Sequence, residues 1–268
     1  MSQQKIRHIV NLSGGKDSTA LAIYLRDRLP DLEYVFCDTE KELDETYEYL
    51  DRLEAYLGTK VIRLKHDGRG FDHYLAVYGG YLPSARTRWC TKHLKLEVFE
   101  RFVGREKVVS YVGIRADEAR DGYISTKPNI KAVFPFKEDG IARQDVFRIL
   151  ENSGLGVPDY YKWRSRSGCY FCFFQQKIEW VGLLENHPDR FAEASRYEKE
   201  AIKGGKRYTW ANGESLEELA RPERVASIKA EHARRVAYET KGGQKTLMEV
   251  LDDALEYDGE RACAICDV

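Results

Sequence analysis

The chain has 268 residues and a formal net charge of -1, from 43 Lys and Arg against 44 Asp and Glu. That length holds one large domain or a core domain with an appendage. The 43% hydrophobic content with balanced charge reads as a soluble globular protein without a polyacidic or polybasic tail. Near-neutrality excludes a global attraction to nucleic acid, so any polyanion contact must be a local patch. No apolar run reaches the roughly 18 residues a membrane span requires.

Met1–Lys5 leads into the first apolar run within a few residues, which leaves no room for a signal peptide and predicts a cytoplasmic protein. Residues 5–12 read as a strand. Ser13-Gly14-Gly15-Lys16-Asp17-Ser18 follows, and a helix is expected over 18–29, ended by Pro30. A strand, a glycine turn and a helix start aim unpaired backbone N–H groups and the positive end of the helix dipole at one point, where an anion can sit. The glycines permit close approach of backbone to anion, Lys16 adds a charge, Asp17 can hold magnesium, and Ser13, Ser18 and Thr19 offer hydroxyls. A polar-capped turn with no ligand would also use Ser, Gly and Asp. The loop is not of the Walker type, because Val10 and Asp17 occupy the positions of its first glycine and its hydroxyl. It is similar to the pyrophosphate loop (PP-loop) of N-type ATP pyrophosphatases, which cleave ATP to AMP and pyrophosphate or hold related adenylates.

Strands are next expected at Tyr34–Cys37 and Lys60–Leu64, flanking a helix over Asp44–Leu57 closed by Gly58. Alternation of strand and amphipathic helix predicts right-handed βαβ units in a doubly wound parallel sheet, with ligands at the carboxyl edge. The 13–18 loop and Asp38 would share that edge. Residues 74–81 carry no assignable pattern. A helix is expected over 92–103, a strand over Val108–Val112, a short strand over Ala132–Phe136 and a helix over Arg143–Asn152. After Pro158 the composition changes, and a boundary there divides a nucleotide-binding unit (1–158) from a Cys-x2-Cys segment with a mainly helical C-terminal region (159–268). Helical patterns run over 177–201 and 216–240, with a short helix from Lys245.

Ser13–Thr19, Asp38-Thr39 with Asp44–Tyr47, Trp89–Lys92, Gly113–Glu118 and Gly168–Cys172 occur in the order seen in sulfonucleotide (PAPS) reductases. DNA phosphorothioation proteins of the DndC and SspD type share that order, and the resemblance spans roughly residues 5–175. The stretch from Trp180 to Leu216 looks more like the phosphorothioation and phage-encoded branch. By this resemblance residues 13–18 hold phosphates, Asp38 lies near the adenosine, and Gly113 and Arg115 sit at the nucleotide. Arg115 suits bidentate phosphate contact or an ion pair with Asp117 or Glu118.

The six cysteines are too few for a disulfide scaffold, and their spacing fits metal or redox chemistry. Cys90, Cys169 and Cys172 resemble the family's cluster ligands, although Trp89 stands where an adjacent cysteine often does. This implies a 4Fe-4S cluster, with zinc as the alternative, whose fourth ligand is Cys263, Cys266 or an exogenous group. The terminal pair otherwise reads as a persulfide acceptor or a second metal clip. Cys37, within a strand, reads as core. Basic residues among aromatics (Arg86, Arg88, Lys92, Lys95; Lys162, Arg164, Arg166) suit a nucleic-acid backbone or a solvated face. The expected function is an ATP pyrophosphatase in sulfur incorporation, chiefly DNA phosphorothioation beside a cysteine desulfurase. Sulfonucleotide reduction, tRNA thiolation and a non-catalytic nucleotide-sensing adaptor are the alternatives.

Overall fold

The computed structural model describes residues 5–119, 125–200, 208–211 and 213–240. Five parallel strands, β1 (Arg7–Leu12), β2 (Leu32–Cys37), β3 (Val61–Leu64), β4 (Val108–Tyr111) and β5 (Ile130–Val133), lie in the order β3-β2-β1-β4-β5. The chain steps outward from β1 to β3, then returns to place β4 on the other side of β1. The reversal lies between β1 and β4, and there the crevice at the carboxyl ends opens.

The strands read as near-continuous apolar runs because both sheet faces are covered. Val10 and Leu12 of β1 face a cluster with Leu21 and Leu25 of α1 (Lys16–Arg26), Leu50 and Leu53 of α2 (Asp44–Leu57) and Val146 and Leu150 of α7, the Arg143–Asn152 helix. Ile9, on the opposite face, packs with Val35, Cys37, Phe99 and Val103. Alternation along β1 therefore feeds two cores. Asn11 interrupts the apolar run, and its amide donates to Ser110 Oγ at 2.6 Å inside the sheet.

Several boundaries differ from the sequence pattern for local reasons. α1 begins at Lys16, inside the glycine motif, and ends at Arg26. Residues 71–77 form α3 (Phe71–Val77), whose Phe71 and Tyr74 enter an aromatic core. The helix expected from 92 is entered through α4 (Trp89–Thr91) and a π-helical turn (Lys92–Leu96) before α5 (Glu97–Val103). β5 ends at Val133, and Pro135 instead opens α6 (Pro135–Glu138), where its missing N–H costs no bond. Proline also divides the two long C-terminal patterns. α8 (Lys177–Asn186) stops before Pro188, which begins α9 (Pro188–Glu200), and α10 (Leu216–Leu219) stops before Pro222, which begins α11 (Pro222–Thr240).

A third apolar cluster joins α3 and α4 to the segment beyond 158, through Phe71, Trp89, Tyr160, Phe171, Trp180 and Trp210. Within it Trp163 packs on Gly182 of α8, where a Cβ would come within 2.6 Å of the indole. Buried Glu198 of α9 accepts from the N–H groups of Trp210 and Leu216, both at 2.7 Å, and so anchors the chain that leads into α10.

Glu214 ties α8 to α11. It accepts both arms of the Arg224 guanidinium at 2.8 Å and pairs with Lys177 at 2.8 Å. The Arg224 hydrogen bonds outweigh partial burial and hold its carboxyl down to about 2, against an ordinary 4.5. A depressed folded-state value stabilises the fold above the unfolded value, and that contribution disappears as pH falls through the folded one. Glu214→Gln is expected to cost about 1–2 kcal/mol near neutrality after solvent screening, with the difference vanishing between about pH 4.5 and 2. Urea unfolding of both proteins across that range checks the sign.

Candidate nucleotide and cysteine site

β1 delivers the chain into the turn at Ser13, and Gly15 is the extended N-cap of α1, with no side chain of its own to cap the helix. Ser18 Oγ accepts from the Ser13 N–H at 3.0 Å and donates to the Gly15 carbonyl at 3.2 Å, which folds the loop onto itself. Gly14 has a φ of +70°, and a Cβ there would meet Thr46 Cγ2 at 2.4 Å. Thr19 is wholly buried and its Oγ1 has no hydrogen-bond partner.

The charged residues of the site converge. Lys16 Nζ pairs with Asp17 Oδ2 at 2.8 Å, and Asp17 Oδ1 pairs with Arg115 Nη1 at 2.9 Å. Arg115 also bonds Asp117 at 2.9 Å and Glu118 at 3.1 Å. Burial alone would ease its proton off, but the charge and hydrogen bond of Asp17 outweigh burial and raise its pKa. Arg115 is thus a fixed cation bonded both to the loop and to its own turn. The ion pairs with Asp117 and Glu118 exist, and they leave the guanidinium at Asp17.

Gly113 serves the loop sterically. A Cβ there would sit 3.0 Å from the Asp17 carbonyl oxygen and 3.2 Å from the Ser18 nitrogen, and both are backbone atoms at the start of α1. Backbone held in a helix cannot yield as a flexible side chain would. Gly113→Ala is expected to cost about 1–3 kcal/mol through overpacking; denaturant unfolding measures it, and an unchanged midpoint would contradict the close approach. Asp38 lies on the same sheet edge just past β2, where its Oδ1 accepts from Tyr47 OH and the Glu40 N–H, each at 2.8 Å.

Residues 160–172 lie against this loop. Fully buried Tyr160 donates to the Gly14 carbonyl at 2.8 Å. The Tyr161 hydroxyl accepts from the Lys16 N–H at 3.1 Å, and Ser167 Oγ donates to Ser13 Oγ at 3.1 Å. Buried Arg164 spans the next turn, donating to the carbonyls of Gly168 at 2.9 Å and Cys169 at 2.8 Å. Glu179 of α8 accepts from the Ser165 N–H and hydroxyl, both at 2.6 Å.

Those bonds bring the Cys-x2-Cys pair toward Cys90. Cys169 Sγ lies 3.1 Å from Thr39 Oγ1 and 3.6 Å from Glu42 Oε1, and Arg166 Nη2 is 3.9 Å from Cys172 Sγ. Burial, reinforced by the charge of Cys172, pushes the Cys90 thiol up to about 12. Burial and Glu42 raise Cys169. Cys90 and Cys169 pack against the same apolar cluster. Among the described residues no three His, Cys, Asp or Glu side chains converge on a single metal-ion position. A four-iron cluster binds each thiolate through a different iron, so its ligands need not meet at one point as the ligands of a lone zinc must. Arg166, 3.9 Å from the Cys172 sulfur, sets a cation beside one of these soft donors, which suits an anionic cluster. Cys263 and Cys266 lie outside the described residues. Cys37 is a core residue, buried in β2 with its thiol pushed up to about 12 by burial.

Sequence reasoning missed Glu42, Ser167 and the role of the Tyr160-Tyr161 pair. Glu42 is 4% exposed, accepts from Thr39 Oγ1 at 2.9 Å, and has an Oε2 without a hydrogen-bond partner. Burial raises its pKa. Nothing in the acidic run Glu40–Glu45 distinguishes it beforehand. The basic run at 162–166 is not one face. Lys162 pairs with Asp159 at the surface, Arg164 is buried, and Arg166 sits 4.7 Å from the Phe174 ring, with Arg88 5.0 Å from the same ring.

The signature of the phosphoadenosine phosphosulfate reductase domain matches residues 7–162, more than half of the chain. The chain belongs to that family. One uncharacterized protein of Methanocaldococcus jannaschii is 30% identical over 61% of this chain and 35% of its own length. A second from the same organism is 27% identical over 68% of this chain and 45% of its own. The chain therefore spans less than half the length of these two relatives. An uncharacterized 37.8 kDa protein of Escherichia phage 186 is 26% identical over 72% of this chain and 74% of its own length. Among solved structures, the phosphoadenylyl-sulfate reductase of Candida auris covers 61% of this chain and 80% of its own, with a TM-score of 0.49 and 13% identity. The tRNA thiolase NcsA of Methanococcus maripaludis, solved with its 4Fe-4S cluster, covers 75% of this reductase-domain chain and 74% of its own, with a TM-score of 0.42 and 16% identity. No described helix is long and apolar enough to cross a membrane.

Proposed function

We propose that this protein is an ATP pyrophosphatase that activates an oxygen for replacement by sulfur, and that it modifies DNA by phosphorothioation with a cysteine desulfurase as sulfur donor. One observation carries the reading: the phosphate loop and the cysteine segment touch, through Ser13 with Ser167 and Lys16 with Tyr161. A nucleotide phosphate and the cysteine sulfurs would then share one cleft.

The start of α1 offers backbone N–H groups to the phosphates, and Lys16 and Arg115 supply charge against the negative charge that develops as the α–β phosphate bond breaks. Asp17, a hard carboxylate between those two cations, is placed to hold magnesium, which when bound would polarise the phosphoryl oxygens. Asp38 and Tyr47 border the adenosine side of the same sheet edge. An acceptor oxygen attacks the α-phosphorus and pyrophosphate leaves; a sulfur nucleophile then attacks the activated centre and AMP leaves. Cys90, Cys169 and Cys172 would hold a 4Fe-4S cluster, which when bound carries sulfur at the acceptor. Its fourth ligand would be Cys263, Cys266 or an exogenous group.

The test is anaerobic purification with iron and sulfide quantitation, alongside pyrophosphate release in the presence of DNA, tRNA and desulfurase. AMP and pyrophosphate formation stimulated by DNA supports the reading, and release of ADP with orthophosphate refutes it. The family match favours sulfonucleotide reduction as the second reading. That reaction predicts sulfite release dependent on Cys263 or Cys266, so retained activity after their replacement by serine excludes it.

A further inference from the structure

We propose that Tyr161 and Ser167 occupy the anion position of the phosphate loop, and that an entering phosphate displaces them and thereby moves Cys169. The proposal rests on the nucleotide-binding reading above and goes beyond it by coupling the two halves of the site. The Lys16 N–H is the first amide of α1, a group an anion at the helix start would receive, and the Tyr161 hydroxyl takes it at 3.1 Å. Over the neighbouring residue, a single methyl on Gly15 would already lie 2.5 Å from Ser167 Oγ and 3.0 Å from Tyr161 OH. A phosphate group is larger than a methyl, so it cannot enter above Gly15 until these two side chains withdraw.

The surroundings determine what moves. Tyr160 is fully buried and bonded to the Gly14 carbonyl, so the strap is anchored at its start. Trp163 is wedged on Gly182. Beyond them Ser167 is held to the loop by one hydroxyl contact, and Gly168, with a φ of +131°, joins it directly to Cys169. Withdrawal of Ser167 therefore pulls on the turn at Gly168 and Cys169, whose carbonyls Arg164 holds together as one unit at 2.9 and 2.8 Å, and the Cys169 thiol is packed at 3.1 Å from Thr39 Oγ1 and 3.6 Å from Glu42. Occupancy of the loop is thereby transmitted to the thiol across two residues.

The experiment uses the full-length chain without metal cluster, with inorganic pyrophosphate and magnesium as the probe. Calorimetry reports binding, and mass spectrometry reports the rate at which Cys169 and Cys172 are alkylated. Tyr161→Phe removes a competitor for the Lys16 N–H and is expected to tighten pyrophosphate binding by about fivefold, the worth of one ordinary hydrogen bond. In the wild type, saturating pyrophosphate is expected to speed alkylation of Cys169 several-fold; Ser167→Ala is expected to raise that rate without pyrophosphate. Equal or weaker binding by Tyr161→Phe overturns the displacement. An alkylation rate indifferent to pyrophosphate in wild type and to Ser167→Ala overturns the coupling. A wild type that binds no pyrophosphate overturns the nucleotide reading itself, and with it this one.

Discussion

Lys16→Ala is expected to reduce pyrophosphate release by 100-fold or more while leaving the fold intact. The ammonium is the loop's own cation, 8% exposed, and in the structure its charge is satisfied by Asp17 at 2.8 Å. On the proposed reading magnesium and nucleotide take Asp17, which would leave Lys16 to follow the phosphate charge that develops as the anhydride bond breaks. Removing one preorganised electrostatic partner at such a point costs on the order of 3–4 kcal/mol of barrier. The fold is insensitive because the helix start is held by backbone and by Ser18, and none of those bonds involves Nζ. Steady-state pyrophosphate release with a thermal melt on the same sample separates the two effects. A variant within tenfold of wild type would mean that the loop binds its ligand without acting on it. Lys16→Arg should recover little, since a planar, delocalised guanidinium does not reproduce the compact point charge of the ammonium.

Cys169→Ser is expected to lower bound iron from about four atoms per chain to less than one after anaerobic purification. Serine keeps the size of the side chain and can still bond Thr39 and Glu42, so the apo fold should survive. Its hydroxyl does not become an anion under conditions where a thiol bound to iron does, and the oxygen is a hard donor where iron–sulfur chemistry requires a soft one. Iron and sulfide quantitation with the visible absorption spectrum is the measurement, and Cys90→Ser and Cys172→Ser should behave alike. Full iron retention after replacement of all three would remove the cysteine trio from the cofactor's binding and move attention to the terminal pair. Zinc in place of iron and sulfide would correct the metal and leave the ligands standing.

Particular elements show what could be read early. The helix Asp44–Leu57 and the helix Arg143–Asn152 were legible to the residue, because each combines strong helical periodicity with a glycine just beyond its end. Pro222 was visible as an interruption and opens a helix in the fold, whereas the pattern over 177–201 ran through Pro188, which ends one helix and begins the next. The π turn at 92–96 was not legible, since an inserted residue in a helical ladder leaves no mark on an apolar pattern. Nor was α3, whose Phe71 is buried against Phe171 and Tyr197 from far along the chain, and whose Tyr74 stacks on His93 beyond the next loop.

The order of strand, glycine turn and helix at 7–26, and the chemistry of Lys16, Asp17 and the cysteine spacing, are written in local sequence, because backbone geometry and donor type depend on near neighbours. Three-dimensional folding alone decided that Gly113 is a glycine for the sake of the α1 backbone, that Arg115 reaches Asp17 from the segment after β4, 98 residues later, and that Glu42 is buried against Cys169. It also laid Tyr161 and Ser167 on the loop. Such contacts depend on which strand returns beside β1 and on which segment is folded back over the crevice, and those are properties of topology that no window of sequence contains.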